Sequence, residues 1–290
     1  MVAVLLGILG LLLLYYTVFL VKDLIAHKSN LGNESLPIAV GIGFVTDFLD
    51  TLGIGSFAPT TMLFQLTKYM DDDKKIPGTL NIAHTIPVMI EAFIFIKVVD
   101  VSPVTLLSLV FAAIVGSWVG SKTVAKLPEK KVQLYIGLAL VATAFLMAAR
   151  QLGWLDMLGA GNTATALTGI KLVIGVVGNF IFGALMTIGV GLYAPCMAMV
   201  YMLGLNPLIA FPIMMASCAG LMPVAGVEFI KNGNYSRKGT IGIIIGGVIG
   251  VAIAANFVTN MPMDVLTWVI IAVIIYTGIT YILKSKKTAA

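Results

Sequence analysis

Residues 53–62 read GIGSFAPTTM, and residues 189–198 read GVGLYAPCMA. The pattern G-x-G-x-x-A-P therefore occurs twice, 136 residues apart, inside two of the most apolar stretches of the chain. Glycine and proline both weaken a continuous helix. The runs that hold the two motifs, Leu36–Thr67 and Leu172–Leu205, are each over 30 residues long. A helix needs about 20 residues to cross the hydrocarbon core of a bilayer. Each run is thus too long for one crossing and too short for two, and each carries its helix-breaking motif near the middle.

The composition names the solvent. Hydrophobic residues make up 59% of the 290 and charged residues only 11%, with a mean hydropathy of +1.04. A soluble domain carries about 25% charged residues, so this chain has no polar coat and reads as an integral membrane protein. The net charge of +5 comes from lysines in short loops between apolar runs. They form no basic face, which argues against a nucleic-acid partner. Cys196 and Cys218 both lie in apolar segments and read as thiols. The N-terminal stretch has no basic residue before its apolar run and no small-x-small cleavage site. It reads as a first transmembrane helix within residues 1–22. The other apolar runs are Ile76–Val99, Pro103–Ser121, Val132–Ala149, Pro207–Ile230, Gly239–Val258 and Pro262–Leu283, each suited to one crossing.

The repetition extends beyond the motif. At an offset of 136, Phe44 matches Phe180, Leu49 matches Leu185, Thr51 matches Thr187 and Pro87 matches Pro223. At an offset of 134, Leu127-Pro128 matches Met261-Pro262. The chain thus divides into the N-terminal helix, a repeat at 36–150 and a repeat at 172–284, with Gly153–Gly169 as a linker. If each long run dips to mid-membrane and returns, 15 of the 18 Lys and Arg residues share one side, and only Lys97, Arg150 and Lys171 face the other. If each run crosses once, the split is an uninformative 7 to 11. The positive-inside rule favours the first arrangement. The expected fold is an all-α polytopic membrane protein with seven spanning helices and two re-entrant broken-helix hairpins. Its N-terminus is outside, its C-terminus is cytoplasmic, and its two repeats are inverted relative to each other, a recurring transporter plan.

Non-helical backbone is tolerated at membrane depth only where protein buries it or where it lines a wet cavity. Glycines at 53, 55, 189 and 191 permit a tight reversal and leave backbone N–H groups uncovered. A positive φ is expected at Gly55 and Gly191, so that a valine at either would be strained as well as obstructive. Pro59 and Pro195 fall in the first turn of the returning half-helix, where a missing N–H costs little. A helix N-terminus carries unpaired donors and a partial positive charge, and so attracts anions. Two such ends converging from opposite sides make an anion site without a lysine. The competing reading is that G-x-G only lets helices pack closely. Two copies at the centres of two similar units favour the anion site.

The segments GFVTDFLDTLGIGSFAPTTML (43–63), IPGTLNIAHTIPVMIEAFIFI (76–96) and AAIVGSWVGSKTVAKLPEKKV (112–132), with the degenerate second copy GVGLYAPCMAM (189–199), resemble the TauE/SafE sulfite and organosulfonate exporter family. The resemblance covers about residues 36–284. It implies a transporter of small sulfur-containing anions, such as sulfite or sulfonates, in a bacterial or archaeal cell membrane. The family's usual third and fourth glycines are replaced here by Ser56-Phe57 and Leu192-Tyr193, which marks a divergent branch.

The residues expected to meet the anion are Gly53, Gly55, Ser56, Pro59, Thr60, Gly189, Gly191, Tyr193, Pro195 and Cys196, with Asn81 and Ser217 aligned across the repeats. Asp47 and Asp50 lie one turn apart, just before Gly53. An intramembrane carboxylate costs about 2.5–3.5 kcal/mol on insertion scales. The two either face protein and carry a proton or lie hydrated near the cytoplasmic mouth. Their counterparts in the second repeat are Gly183 and Met186. Asn81, His84 and Thr85 share a helix face expected to point at the hairpin tip, and Glu91 lies two turns further on. Asp47, Asp50, His84 and Glu91 are read as proton-coupling groups, since an imidazole ordinarily titrates near pH 6.5. Ser217, Cys218 and Glu228 occupy comparable places in the second half. Asp71–Asp73 read as a solvated loop. No H-E-x-x-H, G-x-S-x-G or paired-His motif is present, so the chain is read as a carrier with no enzymatic activity, metal or cofactor. The partners are a small anion, protons, lipid and, in one arrangement, a second copy in a homodimer. The alternative is an anion channel with the same dipole-lined site and no coupling ion.

Overall fold

A computed structural model describes residues 2–52, 54–95, 101–206, 209–257 and 263–286, and every regular element in them is helical. Helix α1 (Val2–Ala26) precedes a first set: α2 (Leu36–Thr51), α3 (Phe57–Thr67), α4 (Ile76–Ala83), α5 (Thr85–Phe95), α6 (Pro103–Val124) and α7 (Glu129–Gln151). A short α8 (Trp154–Gly159) leads to a second set: α9 (Gly169–Met186), α10 (Tyr193–Met202), α11 (Ala210–Lys231), α12 (Arg237–Phe257) and α13 (Met263–Lys286). Proline marks several starts. Pro37, Pro77 and Pro103 occupy the first two positions of α2, α4 and α6, where no intrahelical N–H bond is lost.

Among the described residues, six helices are long and apolar enough to cross a bilayer: α1, α6, α7, α9, α11 and α12. Large apolar side chains such as Leu11, Phe111, Phe145 and Tyr276 stand exposed on the outside of the bundle. Threonine, asparagine and carboxylate side chains are buried inside it. This inverts the pattern of a soluble protein and suits a lipid surround. The chain is a multi-pass membrane protein, with α11 as its most enclosed span.

Both long apolar runs are broken at their motifs, α2 from α3 and α9 from α10. Gly53 lies outside the described residues. The run at 76–99 differs from the single straight helix expected of it. Its described part bends at His84 into α4 and α5, because Pro87 has no N–H to offer the carbonyl of Ala83. The segment 153–169 is more than a linker. It holds α8, Ser102 N donates to Thr165 O at 3.1 Å, and Leu167 N donates to Thr105 Oγ1 at 2.9 Å.

The packing of the two sets is reciprocal. Helix α2 lies along α12, and its counterpart α9 lies along α6. Helices α7 and α13 pack on each other, while α3 touches α13 and α10 touches α7. The close approaches correspond as well. A side chain at Gly116 of α6 would collide with the carbonyl of Phe180 on α9, and one at Gly250 of α12 with the carbonyl of Phe44 on α2. Phe44 and Phe180 are the pair matched by the sequence offset of 136, and Gly116 and Gly250 differ by the offset of 134.

The triple-aspartate segment is not a uniformly solvated loop. Asp73, in a 3₁₀ turn (Asp73–Lys75), is only 6% exposed. It accepts from Lys284 Nζ at 3.0 Å and from Gln133 Nε2 at 3.1 Å. Its ion-pair partner lies 211 residues away, so no local pattern could have marked it as buried. Asp72 uses its carboxylate to cap the same turn, accepting from Lys74 N at 2.9 Å. Asp23 at the end of α1 accepts from Arg237 Nε at 2.7 Å and from the Tyr235 hydroxyl, which ties the N-terminal helix to the start of α12.

Candidate functional site

The two motifs meet at one cavity. Gly55, Ser56, Phe57 and Ala58 line one side, and Gly191, Leu192 and Tyr193 line the other. Its empty volume is about 500 Å³, counted out to its open side. Ser56 and Leu192 are the residues that precede the first turns of α3 and α10, so both half-helices begin at the cavity wall. The first N–H groups of any helix have no intrahelical acceptor. In these two helices Pro59 and Pro195 remove the third donor. The N–H groups of Phe57 and Tyr193 therefore stand at the wall with the positive ends of two helix dipoles.

Gly55 has a φ of +94°, and Gly189 has a φ of +112°. These two glycines carry the reversals. Gly191 departs from expectation, since its φ is not positive and an added Cβ would meet nothing within 4 Å. Its hydrogen side chain keeps the cavity open without relieving backbone strain.

No lysine, arginine or histidine is among the cavity-lining residues described. The one ionisable carboxyl on the wall belongs to Asp50, 3% exposed. Ser56 Oγ donates to Asp50 Oδ2 at 3.0 Å. Asp50 on α2 thus holds the side chain of the residue that precedes α3. At the offset of 136 from Asp50 stands Met186, also on the cavity wall. This position therefore supplies no carboxyl to the start of α10. One further wall group is unpaired: Thr143 Oγ1 is buried and has no hydrogen-bond partner among the described residues.

Behind the wall lies a buried polar chain. His84, 0% exposed, sits at the bend between α4 and α5 and reaches both arms of the first broken helix. Its Nδ1 is 2.7 Å from Asp47 Oδ1 on α2, and its Nε2 is 2.9 Å from Thr60 Oγ1 on α3. Thr60 Oγ1 is also 2.8 Å from the carbonyl of Ser56. A hydroxyl has one proton. Thr60 therefore either donates to an unprotonated Nε2 or accepts from a protonated one and donates to Ser56 O. The protonation of His84 and the orientation of a hydroxyl in the first turn of α3 are thereby linked. Asp47 Oδ2 has no described partner. It rests where a side chain at position 247 would otherwise stand, against Gly247 of α12. Glu91, also fully buried, lies 2.8 Å from Thr51 Oγ1 through Oε1 and accepts from Tyr193 at 3.5 Å through Oε2. Tyr193 of α10 is thus a wall residue in contact with an acid of α5.

Of the remaining sequence candidates, all but Cys218 fall outside the cavity wall. Asn81 Nδ2 donates to Pro77 O at 2.8 Å, and Thr85 Oγ1 donates to Asn81 O at 2.6 Å, both within their own bent helix. Only His84 of that trio reaches the broken helix. Ser217 accepts from Asn179 Nδ2 at 2.9 Å. Cys196 is a buried free thiol, while Gly189 sits under Leu80. Glu228 accepts from Asn232 near the end of α11, remote from the cavity. Cys218 does line it, with Sγ 3.8 Å from Met186 Sδ. Thr143 and Met147 of α7 line it too, and neither stood out in the sequence. Met186, named from the sequence only as the counterpart of Asp50, lines it as well.

The family model for the sulfite exporter TauE/SafE matches residues 1–147. The matched part contains the N-terminal helix, the first broken helix and α4–α6, with Asp47, Asp50, Ser56, Thr60, His84 and Glu91. The match includes the N-terminal helix, and it ends before the second repeat, to which the motif-based resemblance extended. No curated protein and no solved structure matches the chain. The match covers just over half of the chain, and the chain belongs to the TauE/SafE sulfite exporter family.

Proposed function

We propose that the protein is a proton-coupled secondary carrier of a small sulfur oxyanion or organosulfonate, bound between the N-termini of α3 and α10. The observation that carries this reading is the single cavity walled by both glycine motifs. The units at 36–150 and 172–284 act as inverted repeats, a relation supported by their reciprocal packing. In this arrangement α1, the bent α4–α5, α6, α7, α11, α12 and α13 cross the membrane. The pairs α2–α3 and α9–α10 are re-entrant. The charge bias of the loops supports an N-terminus outside and a C-terminus in the cytoplasm, and the family supports a bacterial or archaeal cell membrane.

Asp50 gives the coupling a physical basis. An ionised Asp50 already holds the Ser56 hydroxyl at the start of α3. A substrate anion about 4 Å away would repel it by about 4 kcal/mol at an effective dielectric of 20, a loss of about three decades in affinity. One proton on Asp50 removes that repulsion and frees donors of Ser56. The anion then meets Phe57, Tyr193 and Thr143 as donors, and the loaded site carries less net charge across the low-dielectric centre. His84 passes the proton along the chain through Asp47 and Thr60, while Glu91 receives it from the opposite wall through Tyr193. A channel would need the dipoles but not this buried acid set, so the carrier is the preferred reading.

The test is sulfite flux in proteoliposomes with and without an imposed pH gradient. The parent protein is accelerated by the gradient. Asp50→Asn retains sulfite binding and loses the acceleration. His84→Gln, whose amide can still bridge Asp47 and Thr60, behaves likewise. If both variants follow the gradient as the parent does, the acid chain is architectural. Ohmic single-channel currents would favour the channel.

A further inference from the structure

We propose that a second anion-binding site, for the phosphodiester of an acidic phospholipid, lies where the C-terminal ends of α3 and α13 meet. A separate pocket there has an empty volume of about 500 Å³, counted out to its open side. Gln65, Lys68, Asp73 and Lys284 supply its polar lining, and Phe64 and Tyr281 part of its apolar floor. Lys284 Nζ is committed to Asp73 Oδ2 at 3.0 Å and to Gln65 Oε1 at 3.3 Å. Lys68 lines the same pocket with no ion pair or side-chain hydrogen bond among the described residues. Two ammonium groups and one carboxylate leave a single uncompensated positive charge, which one phosphodiester matches.

The surroundings favour a lipid over a free ion. Leu66, next to Gln65, is 54% exposed, and Leu283, next to Lys284, is 55% exposed. The charged pocket is therefore flanked by apolar side chains at the ends of membrane helices, a head-and-tail arrangement. Basic pockets between membrane helices are suited to phospholipid headgroups. The site is distinct from the cavity at the glycine motifs, with which it shares no lining residue. An occupant would join α3, the returning arm of the first broken helix, to the last helix of the chain.

Lys68 allows a clean test. It is solvent-exposed and holds a left-handed conformation at φ 50°, which asparagine tolerates. Lys68→Asn thus removes the charge without straining the helix end, and Lys68→Arg keeps it. Detergent-purified full-length protein is titrated with phosphatidylglycerol, phosphatidylcholine or inorganic phosphate, with binding read by native mass spectrometry and by thermal melting. The expected result is preferential binding of phosphatidylglycerol with a raised Tm. Lys68→Asn weakens that binding about fivefold, and Lys68→Arg preserves it. Equal phosphatidylglycerol affinity in Lys68→Asn overturns the site. Stabilisation by inorganic phosphate with none from phosphatidylglycerol overturns the lipid as its occupant.

Discussion

Replacing Gly191 with valine separates the cavity's role from the backbone's. An ideal Cβ at this position meets no atom within 4 Å, and the residue's φ lies outside the left-handed region. The fold should therefore tolerate the change within about 0.5 kcal/mol, the usual range for a substitution that disturbs no contact. The added isopropyl group projects from the cavity wall, next to the N-terminus of α10. An anion held off that end loses a dipole interaction worth up to about 2 kcal/mol in a partly buried setting, which is about 30-fold in affinity. Gly55→Val is less informative, because a φ of +94° adds strain of about 1–3 kcal/mol to any effect on the ligand. Gly41→Val in α2, also with open space at its Cβ, is the matched control. The assay is sulfite uptake into proteoliposomes over a range of concentrations, with melting curves on the same preparations. The expected outcome is a normal melt and a half-saturation raised about 30-fold in Gly191→Val, with Gly41→Val unchanged in both. A parental half-saturation in Gly191→Val would refute the assignment of this cavity as the anion site.

Three further outcomes follow from the same geometry. Thr143→Val keeps the shape of the side chain and removes the unpaired hydroxyl, so sulfite affinity should fall about three- to tenfold, the worth of one hydrogen bond, as read by isothermal titration. Gly116→Ala and Gly250→Ala each drive a methyl group into a carbonyl of the facing helix. Both should lower stability by about 1–3 kcal/mol in thermal melts, and a large effect at only one would contradict the correspondence of the two repeats. Single cysteines placed at Lys74 and Lys130 should react with impermeant maleimide only from the cytoplasm, and one at Thr163 only from outside. Labelling of position 74 from outside would mean that the first long run crosses the membrane.

The sequence was most readable where covalent structure alone constrains the backbone. Gly55 and Pro59 together disfavour a continuous helix through 36–67, and the repeated spacing places an equivalent break in the second half. The cavity itself was legible to the same extent, as the meeting of two such breaks. The acid chain was legible only as a set of candidates. Asp47 and His84 are 37 residues apart, and only the tertiary approach of α2 to the α4–α5 bend shows that they form a pair. Asn81 shares the face of His84 in sequence, yet its amide turns to its own helix at Pro77, an outcome that depends on which neighbour offers an acceptor. Thr143 and Met147 lie on an ordinary apolar helix with no local mark of function. Asp73 misled because three consecutive aspartates normally seek water, and its partner Lys284 comes from the last helix of the chain.

The most direct test of the central claim is a structure of the protein with selenite, the selenium counterpart of sulfite, recorded at the selenium absorption edge. The account predicts an anomalous peak between the Gly55–Phe57 and Gly191–Tyr193 segments, within hydrogen-bond distance of their backbone N–H groups. A protein that transports selenite but shows its peak elsewhere, with this cavity empty, would contradict the account.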